Sequence, residues 1–168
     1  ISKENIPAAT QLFTPAWIVK YMVDNTVGSL WLEAHPDKEL QDKWKYYIEP
    51  AEQEAEVQKQ LDEIIDKNLK PEDITVLDPC MGSGHFVCSL FNVFAALRMH
   101  EEGLTKEQAT DRVIAENLHG LEIDPRCTQI AAFNLALTAW KFCGHYKELP
   151  EMNLACSGIA PKGKVEDW

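Results

Sequence analysis

The sequence predicts an α/β fold in which parallel strands are joined by crossover helices and preceded by an α-helical N-terminal region. Two short β-branched or apolar runs, Ile74–Leu77 and Leu118–Ile123, each lead into an Asp-Pro pair and then into helical periodicity. Between and after them helix and strand signals alternate, the pattern of βαβ units with right-handed crossovers. Before residue 74 the chain is polar and carries helical spacing only.

A helix is expected from about Pro15 to Leu32, because Thr14 is a good N-cap and Pro15 suits a first helical position. The polar stretch 33–73 is rich in Lys, Glu, Asp and Gln. Leu61, Ile64, Ile65 and Leu69 recur in it at the spacing of one amphipathic helix, and Trp44, Tyr46, Tyr47 and Ile48 are expected to pack this insertion down. After the strand at 74–77 comes the turn Cys80–Gly84, then a helix from His85 through Val87, Leu90, Phe91, Phe94 and Leu97. A helix over about 106–117 leads into the strand 118–123. Asp124-Pro125 starts a further helix that runs to about Phe142, and Gly144 is placed to end it. Met152–Cys156 reads as a third short strand.

Composition narrows the function classes. The chain has 168 residues, 45% hydrophobic and 26% charged, which suits a globular protein with one real core. No apolar run reaches the roughly 20 residues of a membrane span, and no secretory pattern opens the chain, so a cytoplasmic location is expected. The start, Ile1-Ser2-Lys3-Glu4-Asn5, has no initiating Met, and both ends read as cuts in a longer protein. The five cysteines are scattered and form no C-x-x-C pair, and the five histidines are isolated, so reduced thiols and no metal are expected. With a net charge of −11 the chain is a poor clamp for DNA phosphates.

The strongest local signal is Asp78-Pro79-Cys80-Met81-Gly82-Ser83-Gly84-His85-Phe86, set between a strand and a helix. Glycines there let the backbone turn sharply and come close to a ligand at the carboxyl edge of the sheet. Val87 stands where a dinucleotide fingerprint wants its third glycine, and no G-x-x-x-x-G-K-[ST] occurs. What is left is a loop with an acidic entrance, better suited to a cationic, amine-bearing ligand than to a pyrophosphate. The second signal is Glu122-Ile123-Asp124-Pro125. A carboxylate at that strand end can accept ribose hydroxyls and the apolar neighbour can lie against an adenine; Asp124 is equally explained as the cap of the next helix. The third signal is Thr10-Gln11-Leu12-Phe13-Thr14-Pro15, which alone is no more than a helix start.

Together, in this order, the three motifs resemble the N6-adenine DNA methyltransferases whose cofactor motifs precede the catalytic one. This group includes restriction-modification methylases, and the N-terminal wording with Trp44-Lys45-Tyr46-Tyr47-Ile48 is most similar to the PglX-type enzymes of BREX phage defence. The resemblance implies a partial Rossmann-like S-adenosylmethionine-dependent fold. Residues 1–73 would be its helical N-terminal region, with the Thr-Pro motif and the polar insertion, and 74–168 the first half of the cofactor-binding α/β domain. It implies S-adenosylmethionine as cofactor. Thr14 and Pro15, with neighbours Gln11 and Phe13, would help hold the methionine end. Asp78, Pro79, Cys80, Gly82, Ser83, Gly84 and Phe86 would form the loop, with Asp78 facing the methionine ammonium. Glu122 would meet the ribose and Ile123 would stack on the adenine, with Asp124 beside them among the cofactor-binding residues. Many relatives place an acidic residue near Cys156-Ser157-Gly158 to bind the adenine amine; none is present here, which leaves Ser157 or the backbone.

The family's catalytic motif, Asn-Pro-Pro-Tyr or a close variant, does not occur in this sequence. The chain alone is therefore expected not to methylate DNA. Double-stranded DNA would be gripped by other parts of the parent protein, with defence-system subunits as further partners. Two other readings stay open: a methyltransferase for RNA or a protein side-chain amide, and a non-catalytic methyltransferase-fold interaction module. A truncated sheet also has an edge on which a second copy could pair.

Overall fold

The computed structural model describes residues 14–158. They divide into two compact units, Thr14–Ile74 and the residues from Thr75 onward.

The first unit opens with α1 (Ala16–Asp24) and α2 (Val27–Ala34). The sequence suggested one helix here. The break falls at Asn25-Thr26, where both side chains turn back onto the preceding turn: Asn25 Nδ2 donates to the Tyr21 carbonyl at 2.8 Å and Thr26 Oγ1 to that of Met22 at 2.7 Å. Such side-chain bonds compete with the helical ladder. Asn25 also donates to the Tyr46 carbonyl at 2.7 Å and accepts from Ile48 N–H at 2.9 Å, while Asp24 accepts from Tyr46 N–H at 3.1 Å. The 44–48 segment is thus bolted to the helix junction, and Trp44 lies against Gly28 so closely that a Cβ there would come within 3.0 Å of its ring. At the start of α1, Pro15 itself is the N-cap residue, at φ −53° and ψ 136°, and Thr14 precedes it.

After the short α3 (Lys38–Gln41), capped by Asp37, comes α4 (Ala55–Ile64). It ends earlier than the apolar spacing suggested, because Ile65 is already extended (φ −73°, ψ 120°). None of its residues is buried. Its apolar side chains Leu61 and Ile64 instead line a cleft of about 400 Å³ with Leu30, Ala34, Ile65 and Leu69. No residue predicted for the cofactor site lines that cleft.

The second unit is built on a three-stranded parallel sheet in the order β1 (Val76–Asp78), β2 (Leu118–Glu122), β3 (Asn153–Cys156). Between β1 and β2 lie α5 (His85–Glu102), α6 (Lys106–Arg112) and one π-helical turn, Val113–Asn117; between β2 and β3 lies α7 (Pro125–Cys143). The chain was expected to be regular helix to residue 117; the widened turn delivers it into β2. Phe91, Phe94, Val113, Ile114, Leu118 and Leu135 are fully or almost fully buried and form the heart of this unit. Both long helices end where glycine must: Gly103 and Gly144 take left-handed φ values of 66° and 83°. Among the described helices none is long and apolar enough to cross a membrane.

Inside this core sits a charge. Arg98 has no exposed surface, yet it makes a forked ion pair with Glu102 and donates to Glu116 at 2.6 Å and to the Asn117 carbonyl oxygen of the side chain at 3.2 Å. It ties α5 to the π turn just before β2. Replacing Arg98 by Ala leaves Glu102 and the buried Asn117 without that donor, and a broken buried pair costs on the order of 3 kcal/mol. Urea unfolding of Arg98→Ala should show that loss.

Candidate functional site

The turn after β1 owes its shape to its glycines. Gly82 and Gly84 take φ values of 53° and 83°, in the left-handed region. Gly84 has a second constraint, since a Cβ there would lie 3.1 Å from both Cα and Cβ of Ala131 in α7. The loop also packs through Met81, buried over Gly120 in the middle of β2, where a Cβ would strike the Met81 sulfur and come within 2.9 Å of Leu154. Asn134 of α7 holds the Ser83 carbonyl at 2.9 Å. Met81, Gly120, Ala131 and Asn134 were not singled out from the sequence. Only Gly120 carried a signal, being an isolated glycine inside a strand.

Four of the loop N–H groups go to protein acceptors. Cys80 donates to Asp78 Oδ1 at 3.1 Å, Met81 to the Leu121 carbonyl at 3.1 Å, Gly82 to Glu122 Oε2 at 2.7 Å, and Gly84 to the Met81 carbonyl at 2.8 Å. A phosphate-binding loop keeps such groups free for its anion. This loop spends them on itself and on β2, which agrees with the acidic-entrance reading and not with a pyrophosphate cradle.

Asp78 and Glu122 come together across the sheet. Asp78 pairs in register with Gly120, two residues before Glu122, so the two carboxylates project from the same face of neighbouring strands. Their environments differ. Glu122 Oε1 accepts from the N–H groups of Ile123 at 2.8 Å and Asp124 at 3.0 Å, and Oε2 from Gly82. These bonds, that from Asp124 first, hold its carboxyl below the usual glutamate range. Among the described residues Asp78 has only the Cys80 bond; its Oδ2 is buried and meets no partner there. Burial pushes its carboxyl up, and the nearby Glu122 charge adds to the shift.

The other predicted residues fall as follows. Ile123 is 45% exposed, so an apolar face is open beside Glu122. Both oxygens of Asp124 are engaged: it caps α7 through Arg126 N–H at 2.8 Å and pairs with the Arg126 guanidinium at 2.9 Å. Ser157 is exposed and gives its N–H to the Glu122 carbonyl at 2.8 Å, which brings the segment after β3 to the same strand end. Pro79 and Cys80 are exposed, Ser83 is buried and Phe86 is half-buried. Thr14 and Pro15 belong to the first unit; Gln11 and Phe13 lie outside the described residues. No group of three metal-ligating side chains occurs among the described residues.

No protein-family model matches the chain. Three curated proteins are similar to it. Over 139 residues it is 47% identical to the adenine-specific methyltransferase BrxX of Escherichia coli O9:H4 (strain HS), covering 83% of this chain and 12% of that protein. Over 142 residues it is 37% identical to the adenine-specific methyltransferase PglX of Lacticaseibacillus casei (strain Zhang), covering 79% and 11%. The PglX of Streptomyces coelicolor is 31% identical over 90 residues, 48% of this chain. The chain thus spans about a tenth of the length of the relatives it matches most fully.

Two outcomes follow from this geometry. Gly84→Ala carries both the left-handed backbone and the Ala131 contact, and should lose about 2 kcal/mol or more. Gly82→Ala, with open space around it, should lose only the backbone part, about 1 kcal/mol; chemical denaturation of the two variants compares them. For Asp78 the folded-state value is raised, so the fold favours the protonated form. Its ionisation costs nothing below the ordinary value of 3.8 and costs in full once pH passes the raised folded value. Asp78→Asn should therefore melt above the parent at neutral pH, and the gap should narrow as pH falls from the raised folded value and be gone below 3.8.

Proposed function

The chain belongs to the PglX-type adenine-specific methyltransferases, of whose length it spans about a tenth, and we propose that it builds the S-adenosylmethionine pocket of such an enzyme. The observation that carries this reading is Asp78 Oδ2, a buried carboxylate oxygen without a partner at the mouth of a glycine loop. A buried anionic acceptor is costly unless a donor or cation meets it. The ammonium of the donor's methionine moiety is such a cation, and Asp78 would hold it. Glu122 would take the ribose, and Ile123, apolar and half exposed beside it, would lie against the adenine. Ser157, whose N–H meets the Glu122 carbonyl at 2.8 Å, is proposed for the adenine amine. Thr14 and Pro15, with Gln11 and Phe13, are proposed for the methionine end on the family resemblance alone.

The bound donor supplies an activated methyl on a sulfonium, so the protein needs no nucleophile of its own for that step. What these residues contribute is position and charge. Asp78 fixes one end of the ligand and Glu122 the other, and the loop between them gives the N–H groups of Cys80, Met81, Gly82 and Gly84 to protein acceptors. The substrate of the parent enzyme is proposed to be the N6 amine of adenine in DNA. A base must leave the duplex stack to be reached, and the residues that extrude and read it are assigned to other parts of the parent protein, given the −11 charge of this chain. Marking host DNA in phage defence is the role proposed for the parent. Without an Asn-Pro-Pro-Tyr sequence, this chain alone is proposed to bind the donor and not to transfer the methyl.

Titration of the chain with S-adenosylmethionine, followed by heat and by melting temperature, tests the pocket. Saturable binding should stabilise the fold by RT ln(1 + [L]/Kd), about 2.7 kcal/mol at one hundred times Kd. The response should be lost in Asp78→Ala and absent with NAD. An equal response to NAD, or no change in Asp78→Ala, would sink the assignment.

A further inference from the structure

Glu122 does more than wait for a ligand. Its carboxylate has about four acceptor sites and the fold uses three of them. Both sites of Oε1 are taken by Ile123 and Asp124 N–H, and one site of Oε2 by Gly82 N–H at 2.7 Å, the shortest of the three. The Gly82 bond spans 40 residues of sequence. It joins the middle of the loop after β1 to the end of β2, and Gly82 has no other atom close to its Cα substituent position to hold it. The backbone carbonyl of Glu122 receives Ser157 N–H, and that of Leu121 receives Met81 N–H.

We propose that Glu122 is a positioning residue for the glycine loop, a carboxylate clasp that sets the place of Gly82 while keeping one acceptor site on Oε2 for a ligand hydroxyl. Loop and ligand then share one charged group, and the two contacts coexist because they use different lone pairs of one oxygen. A neutral amide cannot reproduce this arrangement. Both oxygens of Glu122 accept from N–H groups, so a glutamine places a donor against a donor on one side. An aspartate keeps the charge but is one methylene short, and can follow its own turn (Ile123 and Asp124) while losing the reach to Gly82. The ligand half of the proposal rests on the methyl-donor reading; the clasp does not.

The test is amide exchange and amide-proton shift at Gly82, read by NMR on the whole chain. In Glu122→Asp the Gly82 amide should exchange about tenfold faster, the scale of one lost bond to a charged acceptor, with the amides of α7 unchanged. In the unsubstituted chain the Gly82 amide shift should titrate with the Glu122 carboxyl, at a midpoint below the ordinary 4.5, and this titration should vanish in Glu122→Gln. No variant is needed for that first titration, so misfolding of a substituted chain does not blunt it. A Gly82 amide that neither titrates at acid pH nor loses protection in Glu122→Asp overturns the clasp. With saturating S-adenosylhomocysteine the Gly82 amide should stay protected; if it exchanges faster in the complex, ligand and loop compete and the shared-oxygen arrangement is wrong. If the ligand does not bind at all while the Gly82 titration is present, the methyl-donor reading fails and the clasp stands.

Discussion

Three stretches of chain converge on the end of β2, and backbone N–H groups are what they bring. The turn after β1 sends Met81 and Gly82, the turn into α7 sends Ile123 and Asp124, and the segment after β3 sends Ser157; Glu122 and the carbonyl before it receive them all. In a short parallel sheet the carboxyl edge is where strands stop bonding to one another and begin to leave polar groups unpaired. One carboxylate with four acceptor sites settles much of that account. The carboxylate meets the loop at Gly82 and the turn into α7 at Ile123 and Asp124, while the backbone carbonyl of the same residue meets the chain beyond β3 at Ser157.

Asp78 stands on the adjacent strand under the opposite condition. Evolution of stability alone would not keep a buried acceptor unpaired next to another negative charge, because each costs free energy and the two costs add. Two carboxylates side by side, one meeting three backbone donors and low in pKa, the other meeting one and raised, make an asymmetric pair. Glu122 gives three of its acceptor sites to the protein, whereas Asp78 has an oxygen that no described residue meets. Perturbed groups of this kind gather at functional sites, and the stability given up at Asp78 is of a sort commonly exchanged for binding.

The rest of the second unit serves to keep that pair in place. Arg98 binds α5 to the π turn that feeds β2, Asn134 and Ala131 brace the loop from α7, and Met81 uses the missing side chain of Gly120 to lie flat on the strand. One face of the sheet is finished in this way. On the other, Leu77 is 62% and Leu121 36% exposed, whereas parallel sheets are ordinarily covered on both faces. The three parallel strands with their crossover helices are a partial Rossmann-like methyltransferase fold.

Sequence by itself determined the elements whose signals are local. Asp124-Pro125 announced a capped helix, Gly144 its end, and the β-branched run before Asp78 a strand, because caps, φ preferences and side-chain periodicity act within a few residues. It also placed Asp78, Gly82, Gly84 and Glu122 in one motif order. Tertiary structure decided what no local signal carries. The helix of residues 16–34 breaks because Asn25 is claimed by Tyr46 and Ile48, more than twenty positions away, and the helix before β2 widens into a π turn where Arg98 reaches Glu116 and Asn117. Above all, the partners of the two carboxylates could not be read from the chain. Asp78 and Glu122 look alike in sequence, each an acid at a strand end before a turn. Only folding brought Glu122 the Gly82 donor from 40 residues away and left an oxygen of Asp78 without a partner among the described residues, since hydrogen bonds between distant segments depend on register and not on residue type.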